Sequence, residues 1–201
     1  MLNKMVIFLS LGLIINFSAC SINKATGNDG LDNFPGGYSY VEGTTQYPLL
    51  YKKAANNLNS NDYAQAEEIY RDLIEKEPEN SNGYIGLGAS LIYQEKFDEA
   101  IAAYSHALEL NANSAEALVG LGSTFSKIGD YQTALENYLL ALELNPNDIN
   151  AHLGAAIAMQ NLGFENDLII QHLEKIIKID PSSDVATRAE NWMKELLSQD
   201  P

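Results

Sequence analysis

A period of 34 residues runs through the middle of the chain, and few folds are compatible with it. Residues 81–114 align with 115–148 without a gap. Gly86-Leu87-Gly88 recurs as Gly120-Leu121-Gly122, Ala100 as Ala134 and Tyr104 as Tyr138, and Ala107-Leu108-Glu109-Leu110-Asn111 recurs as Ala141-Leu142-Glu143-Leu144-Asn145. One step earlier, Tyr63, Ala66 and Tyr70 stand under Phe97, Ala100 and Tyr104. Pro78 and Pro146 lie two steps apart, with Ala112 in the place between them. A looser copy over 149–183 keeps Ala155-Ala156 and Pro181 and takes one extra residue near Gly163-Phe164. It puts Ile169, Leu173 and Ile176 where the earlier copies have a small–aromatic–small series.

Each unit carries two stretches of helical apolar spacing, parted at Asn61-Asp62, Glu95-Lys96, Gly129-Asp130 and Gly163-Phe164. A single pair of amphipathic helices cannot bury its own apolar face, so successive pairs must stack and share a core. Gly88, Ala100, Gly122 and Ala134 are small enough for close helix approach, and Tyr70, Tyr104, Tyr138 and Leu173 are expected to fill the gaps between neighbours. Pro78, Pro146 and Pro181 end their helices. The stretch 184–198 sets Val185, Ala189, Trp192 and Leu196 on one face, which predicts a capping helix with Trp192 packed on the core.

These recurrences resemble the tetratricopeptide-repeat (TPR) family. Its pattern is a large residue, Leu-Gly, an aromatic, then Tyr/Phe-x-x-Ala-x-x-x-Tyr-x-x-Ala and Pro. The match covers 47–80, 81–114, 115–148 and 149–183, the first of which has Lys53-Ala54 where the pattern has Leu-Gly. The resemblance implies an all-α solenoid of about four helix hairpins, closed by a capping helix and tail over 184–201. Such an architecture binds proteins; it does not by itself define a reaction.

The first twenty residues read differently. Lys4 precedes an almost unbroken apolar run from Met5 to Phe17, too short to span a hydrocarbon core of about 30 Å. A positive start, a short apolar run and small residues after it predict a secretory leader over 1–19. Phe17-Ser18-Ala19-Cys20 resembles the bacterial lipobox, with Phe17 departing from the usual Leu, and Cys20 is the sole cysteine of the chain. The resemblance implies acylation of Cys20 and a firm lipid anchor. Ser21 after it, by Gram-negative sorting rules, implies the outer membrane, with the body facing the periplasm. The stretch 20–46 is rich in Gly, Asn, Ser and Thr and reads as a tether with a mean span of roughly 25–30 Å. Phe34-Pro35-Gly36-Gly37-Tyr38-Ser39-Tyr40 is more aromatic than a spacer needs, which leaves docking on the body, docking on a partner and disorder all open.

Chemistry-bearing patterns are scarce. His106, His152 and His172 stand apart in sequence, with no metal-ligand spacing, and are expected to be ordinary helix residues. There is no nucleophile elbow and no phosphate loop, and Gly83, Gly86 and Gly88 lie inside a helical repeat. No catalytic residue, metal or cofactor is therefore expected. With 27 acidic against 12 basic residues, a net charge of −15, binding of nucleic acid through a basic patch is disfavoured.

In the family the first helix of each pair lines a concave surface, and its second, fifth, sixth, ninth, twelfth and thirteenth positions face the ligand. By resemblance the candidate groove comprises Tyr51, Ile85, Gly86, Ala89, Ile92, Tyr93, Val119, Gly120, Ser123, Lys127, Leu153, Gly154 and Ile157. Family members that grip a terminal carboxylate use a Lys/Asn/Arg clamp that this set lacks. Gly86, Gly120 and Gly154 each weaken a helix by about 1 kcal/mol relative to Ala. Their alignment implies that something approaches the backbone closely: an apolar partner helix or strand, or a neighbouring part of this chain. A leader, a tether and a few repeats together resemble the assembly lipoproteins of tight-adherence pili and the pilotins of type IV pili. That likeness implies a scaffold in pilus or secretin biogenesis. An adaptor that docks cell-wall hydrolases or proteases is the alternative.

Overall fold

The structure, a computed structural model, describes residues 45–199; the leader, Cys20 and the aromatic stretch 34–40 lie outside the described residues. Those residues form α1 (Pro48–Asn59), α2 (Tyr63–Lys76), α3 (Ser81–Ile92), α4 (Phe97–Leu110), α5 (Ala115–Ile128), α6 (Tyr131–Leu144), α7 (Ile149–Leu162), α8 (Asn166–Ile179) and α9 (Asp184–Gln199). The fold is all-α, and no strand occurs among the described residues.

The repeat sets the helix ends through local chemistry. Asn80, Ser114, Asp148 and Ser183 precede α3, α5, α7 and α9, and each side-chain oxygen accepts a hydrogen bond from a first-turn backbone N–H at 3.0–3.2 Å. Asp62 and Asp130 do the same for α2 and α6. Each such cap stabilises its helix by about 1 kcal/mol. Inside every pair the chain turns through one left-handed residue: Asn61, Glu95, Gly129 and Gly163, with φ of 62°, 59°, 86° and 75°. In the fourth pair Phe164 intervenes before the cap residue Glu165, which accounts for the extra residue in that copy.

Each helix packs on the next along the chain, and α1, α3, α5 and α7 also pack on one another in turn. Among the described residues no equivalent packing joins α2 to α4, α4 to α6 or α6 to α8. The row of pairs therefore bends, with the first helices on the inside. On α9, Val185, Ala186, Ala189 and Leu196 are buried, and Trp192 is half-buried against the same core as Leu173 and Ile176.

The spacing of the pairs rests on one recurring contact. The Tyr104 ring lies between Gly88 of α3 and Gly120 of α5, and the Tyr138 ring between Gly122 of α5 and Gly154 of α7. A Cβ on Gly120 would stand 2.2 Å from Tyr104 Cε1, and one on Gly154 2.2 Å from Tyr138 Cζ. Tyr70 meets Gly86 in the same way at 2.2 Å. In the fourth pair the ring position holds Leu173, and the corresponding small positions hold Ala156 and, six residues after its cap, Ala189. A smaller side chain is thus matched by larger neighbours, as close packing demands.

The inner face as candidate functional site

Hydrophobic and polar groups reach the inner face from the first helices of the pairs. The structure divides the thirteen groove positions expected from sequence into three groups. Gly86, Gly120 and Gly154 are occupied on their Cβ side by Tyr70, Tyr104 and Tyr138, so the close approach comes from the preceding helix of this chain and not from a ligand. They leave the candidate set. Tyr51, Ile85, Ala89, Ile92, Val119 and Ser123 are buried in the folded chain. The Ser123 hydroxyl is used internally, donating to the Val119 carbonyl at 2.8 Å and accepting from the Tyr138 hydroxyl at 3.2 Å. Tyr93, Lys127, Leu153 and Ile157 are half-buried, as are the neighbouring Asn82 and Asn150. Tyr93 is held flat against Tyr63, with ring centroids 4.6 Å apart and planes at 8°.

Glu116 gives this face its sign. It occupies the second position of α5 and is exposed. Desolvation, followed by the like charge of Asp148, raises its carboxyl pKa. An acidic group in that place repels a terminal carboxylate, consistent with the missing clamp.

At the N-terminal end, Glu77 fastens the chain where it enters the body. Its carboxylate accepts hydrogen bonds from the Thr45 hydroxyl, from the Gln46 backbone N–H at 2.6 Å and from Asn80 Nδ2 at 3.2 Å. Asn80 caps α3, so the entering chain is tied to the end of α3 that carries Asn82 and Ile85.

Two further clusters lie off the inner face. Glu67 of α2 accepts from Arg71 at 2.9 Å, from Gln94 at 2.9 Å and from Lys96 at 2.8 Å, joining the first pair to the turn of the second. Burial works to raise its pKa, and the three donors outweigh that and pull it down to about 2. His152 and His172, expected to stand alone, are in contact: their Nδ1 atoms are 2.9 Å apart, and His152 Nε2 lies 3.1 Å from the Pro146 carbonyl oxygen. The Pro146 contact makes Nε2 the protonated nitrogen of His152, so His172 donates through Nδ1. Sequence separation hid this pair. A histidine at the fourth position of a first helix, in register with Tyr84 and Leu118, was the available signal that it faces the second helix. Among the described residues no group of three or more His, Cys, Asp or Glu could hold a metal ion. Among them no helix is long and apolar enough to cross a membrane.

Comparison with known proteins agrees with this geometry. Residues 49–80 and 79–147 match the tetratricopeptide-repeat family. The matched stretch lies within residues 49–147, and the fold it describes is typically a protein-interaction scaffold. A thermophilic TPR protein of Thermus thermophilus shares the fold with a TM-score of 0.67 at 17% identity, over 78% of this chain and 84% of the other. MamA of Desulfovibrio magneticus RS-1 gives 0.59 at 18%, over 79% of this chain and 99% of the other. The first TPR of Spaghetti (RPAP3) bound to the HSP90 peptide SRMEEVD gives 0.55 at 18%, over 60% and 94%. At these identities the likeness is one of fold. Among curated proteins none matches the sequence.

Proposed function

We propose that the chain is a lipid-anchored scaffold of the bacterial cell envelope, whose inner TPR face binds a protein partner during assembly of a pilus or of its outer-membrane secretin. The observation that carries the binding role is the inner face itself: half-buried apolar and amide side chains, Asn82 on α3 and Asn150, Leu153 and Ile157 on α7, on either side of the Glu116 carboxylate of α5. The anchor is supported by the sole cysteine, Cys20, directly after a short apolar leader and Ser18-Ala19. The assembly role is supported by the layout of leader, tether and repeats. The partner segment is an apolar helix or strand without an exposed C-terminal carboxylate.

Two measurements test this reading. Fractionation of cells expressing Cys20→Ser should move the protein from membranes to the soluble fraction, and continued firm attachment would refute the anchor. Purification of the native protein with its membrane complexes should bring down secretin or pilus-assembly components. Recovery of cell-wall hydrolases or proteases in their place would replace the assembly role with that of an adaptor.

A further inference from the structure

Off the inner face, the imidazoles of His152 on α7 and His172 on α8 meet through their Nδ1 atoms at 2.9 Å, 20 residues apart in the chain. His152 is buried and His172 half-buried. Two N–H groups cannot face each other at that distance, so at least one Nδ1 is unprotonated. His152 Nε2 donates to the Pro146 carbonyl oxygen at 3.1 Å, which leaves the His152 Nδ1 lone pair aimed at His172. A ring whose second nitrogen is fixed by a backbone carbonyl is oriented as metal-ligating histidines are. The geometry points to a copper(II) site at this pair, bound by the two Nδ1 atoms and completed by water.

The separation selects the metal. At imidazole–metal bonds of about 2.0–2.1 Å, two nitrogens 2.9 Å apart subtend about 90° at the ion. That is the angle between neighbouring ligands in a tetragonal site, the arrangement copper(II) prefers, whereas a tetrahedral zinc site would need the nitrogens about 3.3–3.4 Å apart. Imidazole ligands suit copper(II), which also binds more tightly than the other divalent first-row ions. The proton balance is neutral: His172 gives up the proton on Nδ1 and regains one on Nε2, so both Nδ1 lone pairs face the ion and no net proton is released. Among the described residues no third His, Cys, Asp or Glu completes the set, so water takes the remaining positions. Of the charged groups acting on His152, Asp148 favours a cation and Lys175 opposes one, and the Lys175 side chain is exposed. The net charge of −15 favours cations over the whole chain. An ion held there cross-links α7 to α8 in the repeat that departs most from the period.

The test uses the full chain carrying Cys20→Ser and His106→Gln, which removes the sole thiol and the one other histidine as competing ligands. Copper(II) chloride is titrated into it and followed by electron paramagnetic resonance. One ion per chain should bind, with nitrogen coupling from two imidazoles. Adding His172→Gln should weaken that binding at least tenfold and leave coupling from at most one imidazole, with folding checked by thermal melting. If His172→Gln unfolds the chain, the parent spectrum decides alone: its only histidines are His152 and His172, so two-imidazole coupling upholds the site. Coupling from one imidazole or none in the parent, no uptake at millimolar copper, or uptake that His172→Gln leaves unchanged, which means an adventitious ion only, overturns the inference.

Discussion

The Tyr104 ring stands where a side chain on Gly120 would be, 2.2 Å from an ideal Cβ at that position, while Gly88 closes on it from the other side. The ring cannot retreat. An alanine at 120 gains about 1 kcal/mol of helix propensity and meets overpacking of about 1–3 kcal/mol in its place. Gly120→Ala is therefore expected to destabilise the body by up to about 2 kcal/mol in urea unfolding. A glycine lining an open groove would show the opposite sign. Tyr104→Leu/Gly88→Ala/Gly120→Ala copies the Leu173, Ala156 and Ala189 arrangement and should recover at least half of the loss.

Glu95 is exposed and sits at φ 59°, in the place held by Gly129 and Gly163 in later pairs. A left-handed backbone costs a side chain about 1–2 kcal/mol. Glu95→Gly should raise stability by about 1 kcal/mol despite the greater freedom of glycine in the unfolded chain. Calorimetric melting checks it, and an unchanged or lower midpoint would contradict the strain.

The histidine pair predicts an acid-sensitive fourth repeat. Burial and then the neighbouring His152 lower the pKa of His172 from 6.5 to about 4. Burial also lowers His152, with the Pro146 carbonyl opposing, Lys175 adding to the lowering and Asp148 opposing it. The unfolded chain takes up protons as pH falls below 6.5 and the folded chain resists until about 4. The stability due to the pair is therefore full above pH 6.5 and is lost as pH falls through that window. His152→Leu/His172→Leu should flatten the decline between about pH 6.5 and 5 in pH-dependent urea midpoints.

Glu67 acts lower on the scale. Its carboxyl, 13% exposed, is held at about 2 by Lys96, Arg71 and Gln94 against the opposing effect of burial. The stability it gives is present above pH 4.5 and disappears as pH falls towards 2. Glu67→Gln should cost about 1 kcal/mol at neutral pH, an amount expected of a partly exposed charged network, and little at about pH 2.5.

The sequence carried the architecture because the period is a local code repeated: caps at Asn80, Ser114, Asp148 and Ser183, and turn residues at Asn61, Glu95, Gly129 and Gly163, recur with it. It carried the smallness of Gly86, Gly120 and Gly154 without saying what approaches them, because the neighbour is a tyrosine 16 residues earlier on another helix. It did not carry the His152–His172 contact, which depends on how α7 and α8 face each other across an irregular turn. The candidate site was legible as a set of register positions. Which of those positions stay open depends on the bend of the helix row, a property of packing that no single repeat encodes.

Capture of membrane proteins by variants of the chain decides whether the inner face takes the partner. Leu153→Arg and Ile157→Arg, half-buried on the inner face, should lose the captured partner while keeping their melting temperatures. Leu140→Arg on α6, where the side chain is 48% exposed, should retain it. Capture that survives both inner-face variants and fails with Leu140→Arg would contradict the account.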